Sequence, residues 1–242
     1  MTEFRVTRRR LLMGAGAGVL GVAIVNTVSG CSDADSGTAA TPTVAASAGL
    51  GDWKRVSLSF VSAYLLIRGS EAAVVDLGTG GSENAIGDAL TAAGSGWSSV
   101  KHVILTHYHQ DHVGGLPGVE PQVKAKFYAG QDDVGSIVNA TKPLEPLDDG
   151  DEVFGLRIVS TPGHTLGHVS VFEPSTGVLV AGDALRTSGG LQGSDPQYTA
   201  DLDKAAASLK KLAALDVKAI LPGHGEPLTV NAAEELRKLA GV

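Results

Sequence analysis

Cysteine is almost absent from this chain: one residue, Cys31, in 242. No disulfide framework can form within it, so the fold must hold by packing or by something else. Basic residues are also scarce, 19 Lys and Arg against 26 Asp and Glu, for a net charge of −7 at pH 7. Four of the arginines (Arg5, Arg8, Arg9, Arg10) fall in the first thirty residues beside a single acid, Glu3, so the remainder is more acidic than the whole. Phosphate backbones are bound by clustered Lys and Arg, and a body so poor in them excludes nucleic acid as the expected partner. No G-x-S-x-G elbow and no internal repeat occurs. What is present is 43% apolar residues and 32 glycines, enough for one sizeable domain with a real core.

The N-terminus reads "TRRRLLMGAGAGVLGVAIVNTVSGC". Arginines precede an apolar run from Leu11 to Val25, which is shorter than the roughly 20 residues a membrane-crossing helix needs. This is the pattern of a secretory signal. Arg8 and Arg9 resemble a twin-arginine export pair, and "VSGC", Val28 to Cys31, resembles a bacterial lipobox whose cysteine becomes the lipidated first residue. An uncleaved anchor with a chance cysteine is the plainer alternative. The stretch after Cys31, "SDADSGTAATPTVAASAGLG", is small and polar without periodicity and reads as a flexible leash. The expected organisation is a signal peptide over 1–30, a linker over 31–52 and a folded domain over 53–242. The protein is then exported and lipid-anchored to the cell membrane through Cys31, facing outside the cytoplasm.

Within the folded part, "VSLSFVSAYLLIRG", "EAAVVDLG", "KHVILT", "VKAKFYAG", "DEVFGLRIVS" and "VKAILPG" predict strands, and "HVSVFEPSTGVLVAGD" predicts a hairpin. Helices are predicted from Ser82, a candidate cap, to a stop at Gly94, over "TADLDKAAASLKKLAAL", over the final "NAAEELRKLAGV" and, as a short one, over "QDDVGSIVNAT".

One regularity outweighs these assignments. Potential metal ligands follow the ends of apolar strands: His107 after "VILT", His164 after "IVSTPG", Asp183 after "VLVAG" and His224 after "AILPG". Loops at strand ends are where a rigid sheet holds a site. Four of the seven histidines lie between His102 and His112, and "THYHQDH" alone offers His107, His109, Asp111 and His112. Three ligands from a short loop and one from afar would fill one tetrahedral site, so a run that offers four is enough to begin two.

"THYHQDHVGG", with "TPGHTLGH", "AGDA" and "PGHG" following in order, resembles the H-x-H-x-D-H signature of the metallo-β-lactamase superfamily. The resemblance runs from about Trp53 to Pro227. It implies an α/β (α+β) fold, an αββα sandwich of two mixed β-sheets flanked by helices. It also implies a dinuclear centre with His107, His109 and His164 at the first metal, Asp111, His112 and His224 at the second, and Asp183 between them. Asp76, ending "AVVDLG", would lie beneath the site. Two divalent metal ions, Zn²⁺ by default and Fe or Mn otherwise, would activate water, and Asp111 would act as the catalytic carboxylate that orients it and accepts its proton.

The function expected is hydrolysis of a small ester, thioester, lactone or β-lactam outside the cytoplasm. A non-catalytic metal- or ligand-binding lipoprotein and an iron-dependent oxidoreductase of the same fold are the alternatives. Of the remaining candidates, His102 is expected to be structural. His168 either orients a ligand or stands at a strand edge, Tyr108 lines the pocket or fills space, and Tyr198 either reaches the pocket or packs on the next helix.

Overall fold

A computed structural model describes residues 50–242. The chain begins as an antiparallel meander of β1 (Trp53–Leu58), β2 (Val61–Arg68) and β3 (Glu71–Val75). Then β4 (Val100–Leu105), β5 (Lys126–Gly130) and β6 (Leu144–Leu147) join in parallel, completing a six-stranded sheet in sequential order. Parallel neighbours require crossovers. The one before β4 carries α1 (Glu83–Ala92), and the one before β5 carries two short helices, α2 (Gln110–Val113) and α3 (Leu116–Val119). A second sheet contains β7 (Glu152–Val153), β8 (Leu156–Ser160), β9 (Val169–Glu173) and β10 (Val178–Gly182), all antiparallel. A small ribbon, β11 (Leu185–Arg186) with β12 (Gln192–Gly193), and helix α4 (Leu202–Ala213) lead to β13 (Ala219–Pro222), which pairs in parallel with β10. Helix α5 (Ala232–Ala240) follows.

Strand periodicity accounts for the layering. Side chains alternate across a sheet, and here both faces are apolar. Ala63 and Leu65 of β2, Ala72 and Val74 of β3, and Val103 and Leu105 of β4 pack with Ile86, Ala89 and Leu90 of α1. The intervening Tyr64, Leu66, Ala73, Val75 and Ile104 face the second sheet, where Ile158, Val169, Val171, Val178, Val180 and Leu221 meet them. On the far side, Val159, Leu179, Ala181 and Ile220 pack with Leu212 of α4 and with Leu236 and Ala240 of α5. Three apolar layers thus separate helix, sheet, sheet and helix, which is the αββα sandwich expected. Strands covered on both faces read as continuous apolar runs, the reason "AVV", "VLVA" and "AIL" were recognisable.

The expected leader over 1–30, the lipobox Cys31 and the expected linker up to Gly49 lie outside the described residues. Packing reaches Leu50, which is buried in the layer between the sheets and accepts the Trp53 N–H at 3.0 Å. Helix α1 follows Ser82, although the Ser82 side chain makes no capping bond, and Gly94 ends that segment at φ +72°. Asp201 caps α4 by accepting from the Lys204 N–H at 3.0 Å. The helix expected over "QDDVGSIVNAT" is only a 3₁₀ turn, Val134–Ser136. Asp133 is committed elsewhere, accepting from Thr165 Oγ1 at 2.6 Å and from the Gly167 N–H at 2.8 Å. Among the described residues, no helix is long and apolar enough to cross a membrane.

Candidate metal centre

All seven expected ligand residues converge at one edge of the sandwich. Strand β4 ends at Leu105, and the loop behind it presents His107 and His109; α2 begins at Gln110 and carries Asp111 and His112 on its first turn. His164 comes from the β8–β9 loop, Asp183 from the residue after β10 and His224 from just beyond β13. His109 Nδ1 lies 3.1 Å from His107 Nε2 and 3.0 Å from His164 Nε2. Asp111 Oδ2 lies 3.3 Å from His224 Nε2 and 3.8 Å from His112 Nε2. Asp183 stands between the two trios, with Oδ1 3.3 Å from His112 Nε2 and Oδ2 3.4 Å from His164 Nε2 and 3.2 Å from His224 Nε2. Close approach by the backbone makes this possible. A Cβ at Gly223, the residue before His224, would collide with Asp183 Oδ1 and His112.

The ring nitrogens that face inward are set from behind. Asp76, buried at φ +60°, accepts from the Thr106 N–H, from Thr106 Oγ1 and from His112 Nδ1, each at 2.8 Å. Thr106 spends its hydroxyl proton on Asp76, so its oxygen accepts from His107 Nδ1 at 3.0 Å. One carboxylate therefore engages the Nδ1 of two histidines, His112 directly and His107 through Thr106, and leaves both Nε2 atoms facing inward. His224 Nδ1 donates to the Phe60 carbonyl at 2.9 Å, with the same result. His168 Nε2 accepts the Asp183 N–H at 3.0 Å, while its Nδ1 donates to Thr161 Oγ1 at 2.8 Å, which continues through Ser170 Oγ to the Ala181 carbonyl. Of the two roles open to His168, the structure supports holding a candidate ligand in place, through its backbone.

The donor set fits divalent cations. Three groups of three ligand atoms (His107, His109, His164; His107, His112, Asp183; Asp111, His112, His224) each lie within 4.8 Å of one another. Tetrahedral sites with bonds of 2.0–2.1 Å space their ligands by about 3.3 Å, close to the separations above. Among the described residues, His112 Nε2 and Asp183 Oδ1 are buried without a hydrogen-bond partner. A buried polar atom left so costs about 1–3 kcal/mol, which two cations between these groups would recover.

The profile described as "Metallo-beta-lactamase superfamily" matches residues 56–224. The chain belongs to that superfamily. A probable metallo-hydrolase of Bacillus subtilis (strain 168) is 30% identical over 200 residues, covering 64% of this chain and 75% of that protein. The hydroxyacylglutathione hydrolase of Dechloromonas aromatica (strain RCB) is 32% identical over 163 residues, 63% of this chain and 57% of the relative, so the chain spans little more than half of it. Among solved structures, a metallo-beta-lactamase family protein from Thermus thermophilus has a TM-score of 0.62 at 26% identity, covering 79% of this chain and 78% of that one.

In this superfamily member the electrostatics divide the site. Burial holds His107 well below its ordinary value and brings His164 down to about 4 and His168 to about 3, so these rings are neutral. His224 is pushed up to about 10 by its hydrogen bonds to Asp111 and Asp183. At His112 burial acts downward, but Asp183 and Asp76 outweigh it and hold the ring well above the usual range. Burial would raise Asp183 and Asp111. The cationic His112 beside Asp183 and the His224 bond to Asp111 reverse this, and both stay ionised at neutral pH.

A cavity of about 640 Å³ opens above these groups, walled also by Phe60, Gln110, Arg186, Ser188, Asp195 and Tyr198. Tyr198 thus reaches the pocket instead of packing away. Tyr108 does not line it and packs beside the helix-side core. His102 lies apart, its Nδ1 3.2 Å from Tyr128 Oη, in the structural role expected. Sequence reasoning missed Phe60, Thr106 and the Arg186–Asp195 pair. The signals available were the adjacency of Thr106 to the histidine motif and the place of Arg186 and Asp195 in the glycine-rich loop "RTSGGLQGSDPQY" after Asp183, a loop that could rim a pocket.

Proposed function

We propose that this chain is a metal-dependent hydrolase acting on a small ester, thioester, lactone or β-lactam. The observation that carries the reading is the convergence of unpartnered, inward-facing ligand atoms on the floor of an open cavity. A purely structural metal site is closed by four protein ligands and needs no such opening. These residues would hold divalent cations, which would supply an activated water near neutral pH and polarise a bound carbonyl. Asp111 is one-quarter exposed, lines the cavity and stays ionised, so its free oxygen can orient a water and take its proton. His107 and His164 are buried and neutral, and His112 is buried with its Nδ1 held by Asp76, so none of the three is set to pass a proton to substrate. The hydrolase names of two relatives support the reaction class.

The test uses the full chain loaded with zinc, iron or manganese. Metal content should approach two ions per chain, and one of the ester, thioester, lactone or β-lactam substrates should turn over. Asp111→Ala should lower kcat by roughly 10²–10⁴-fold with the circular-dichroism spectrum unchanged. A variant that keeps the full rate removes Asp111 from the chemistry, and a metal-loaded chain inert on every substrate removes the hydrolase reading.

The place of action we propose is outside the cytoplasm, on a lipid attached to Cys31. The arginine-led apolar run and "VSGC" support it. Cys31→Ser should move the protein from the membrane fraction to the soluble one on cell fractionation. Retention at the membrane would argue for an uncleaved anchor.

A further inference from the structure

The walls of the cavity carry information that its floor does not. Among the described residues, Arg186 is the only lysine or arginine lining it. A guanidinium grips a carboxylate through one of its two-nitrogen edges, and both kinds of edge are compromised here. Nη1 donates to Asp195 Oδ2 at 2.5 Å, and Nε is buried from solvent. Asp195 is in turn not free to swing aside. Its Oδ1 accepts the Gln197 N–H at 3.0 Å, and its carbonyl accepts the Tyr198 N–H at 3.0 Å and Thr199 Oγ1 at 2.6 Å. The same aspartate that neutralises the cation builds the turn that presents Tyr198.

Beside this cancelled charge stand two aromatic rings, Phe60 and Tyr198, each 61% exposed. Phe60 is fixed by its carbonyl bond to His224, and its ring lies parallel to that imidazole, 6.0 Å away and 5° from coplanar. An aromatic held rigid and left this exposed at a pocket mouth offers apolar contact at little entropic cost.

We infer that the substrate of this site is uncharged beyond its scissile group and lays an apolar arm against Phe60 and Tyr198, instead of anchoring a carboxylate on Arg186. This rests on the hydrolase reading and deepens it. For an ester, the oxygen of water bonds to the acyl carbon, the bond from that carbon to the alkoxy oxygen breaks, and a proton goes to the departing alcohol, leaving an acid.

The test compares p-nitrophenyl hexanoate with the mono-p-nitrophenyl ester of adipic acid, which has the same six-carbon acyl chain ending in a carboxylate. The metal-loaded full chain should favour the hexanoate in kcat/KM by about tenfold or more, since an unpaired carboxylate must be desolvated against the wall. Phe60→Ala and Tyr198→Ala should reduce the preference for hexanoate over acetate, chiefly through KM. Asp195→Asn frees Arg186 and should narrow or reverse the hexanoate preference. A wild-type preference for the adipate ester, or a preference unmoved in Asp195→Asn, overturns the inference. If neither ester turns over, calorimetric binding of hexanamide against adipamic acid still decides it. Tighter hexanamide binding supports it and tighter adipamic acid binding overturns it, so its fate is separable from that of the hydrolase reading.

Discussion

Asp76 occupies a left-handed conformation that costs an L-residue roughly 1–2 kcal/mol, and in exchange it accepts three hydrogen bonds that orient His107, through Thr106, and His112. Asp76→Ala would leave His112 Nδ1 and the Thr106 hydroxyl without acceptors inside the fold. Metal affinity should fall about 10–100-fold, read by competition with a chromogenic chelator. Protons report on the same residues. With His224 pushed up to about 10 and His112 held well above 6.5, the metal-free chain carries both rings protonated at pH 7. Ligation requires the neutral imidazole, so metal uptake must expel about two protons. Affinity should therefore rise with pH from 7 towards 10, and calorimetry in buffers of different ionisation enthalpy should register the release. A pH-independent affinity would mean that these rings do not bind metal. The seven candidate ligand positions were legible because four sit in a spaced motif and three follow the ends of apolar strands. For His168 the sequence left two roles open, because its contribution is to accept a backbone N–H from Asp183, a residue fifteen positions away.

At the scale of elements, the legible features were those written in apolar runs. Strands β4, β10 and β13 are buried along most of their length, and each hands the chain to a candidate ligand at its end. The ribbon β11–β12 was not legible. Its sequence, "LRTSGGLQG", has no apolar alternation, and its pairing rests on two residue pairs at a glycine turn. Yet this ribbon carries Arg186 and borders the cavity, and the Thr187 N–H ties it to the His224 carbonyl at 3.0 Å. Strand β6 escaped notice for a related reason: "LEPL" contains a proline and is only partly buried, as befits the outermost strand of its sheet. The short helix expected after β5 failed because local propensity yields where a side chain such as Asp133 is claimed by distant partners.

At the scale of the whole molecule, the candidate ligands are divided between the sheets. The first sheet delivers His107, His109, Asp111 and His112; the second delivers His164, Asp183 and His224. Each candidate trio therefore draws on both, and neither sheet alone can bind an ion well. Polar ties cross between the sheets beneath the site: Tyr64 Oη to the Pro222 carbonyl at 2.7 Å, the Ser62 N–H to Gly223 at 2.9 Å and the Val169 N–H to Thr106 at 2.8 Å. An ion bound across this seam favours the docked state over the unfolded one and adds stability by mass action, about 2.7 kcal/mol at a hundredfold excess over Kd. For a domain of this size that is a rise in Tm on the order of 5–10 °C. Chelation should remove it, and His224→Ala should reduce the difference between loaded and chelated protein. Leu236→Ala, in the layer between α5 and the second sheet, should instead lower both melting temperatures together, by the roughly 2–5 kcal/mol of a core truncation, and leave their difference intact. Equal melting of loaded and chelated wild-type chain would mean that no cation bridges the sheets.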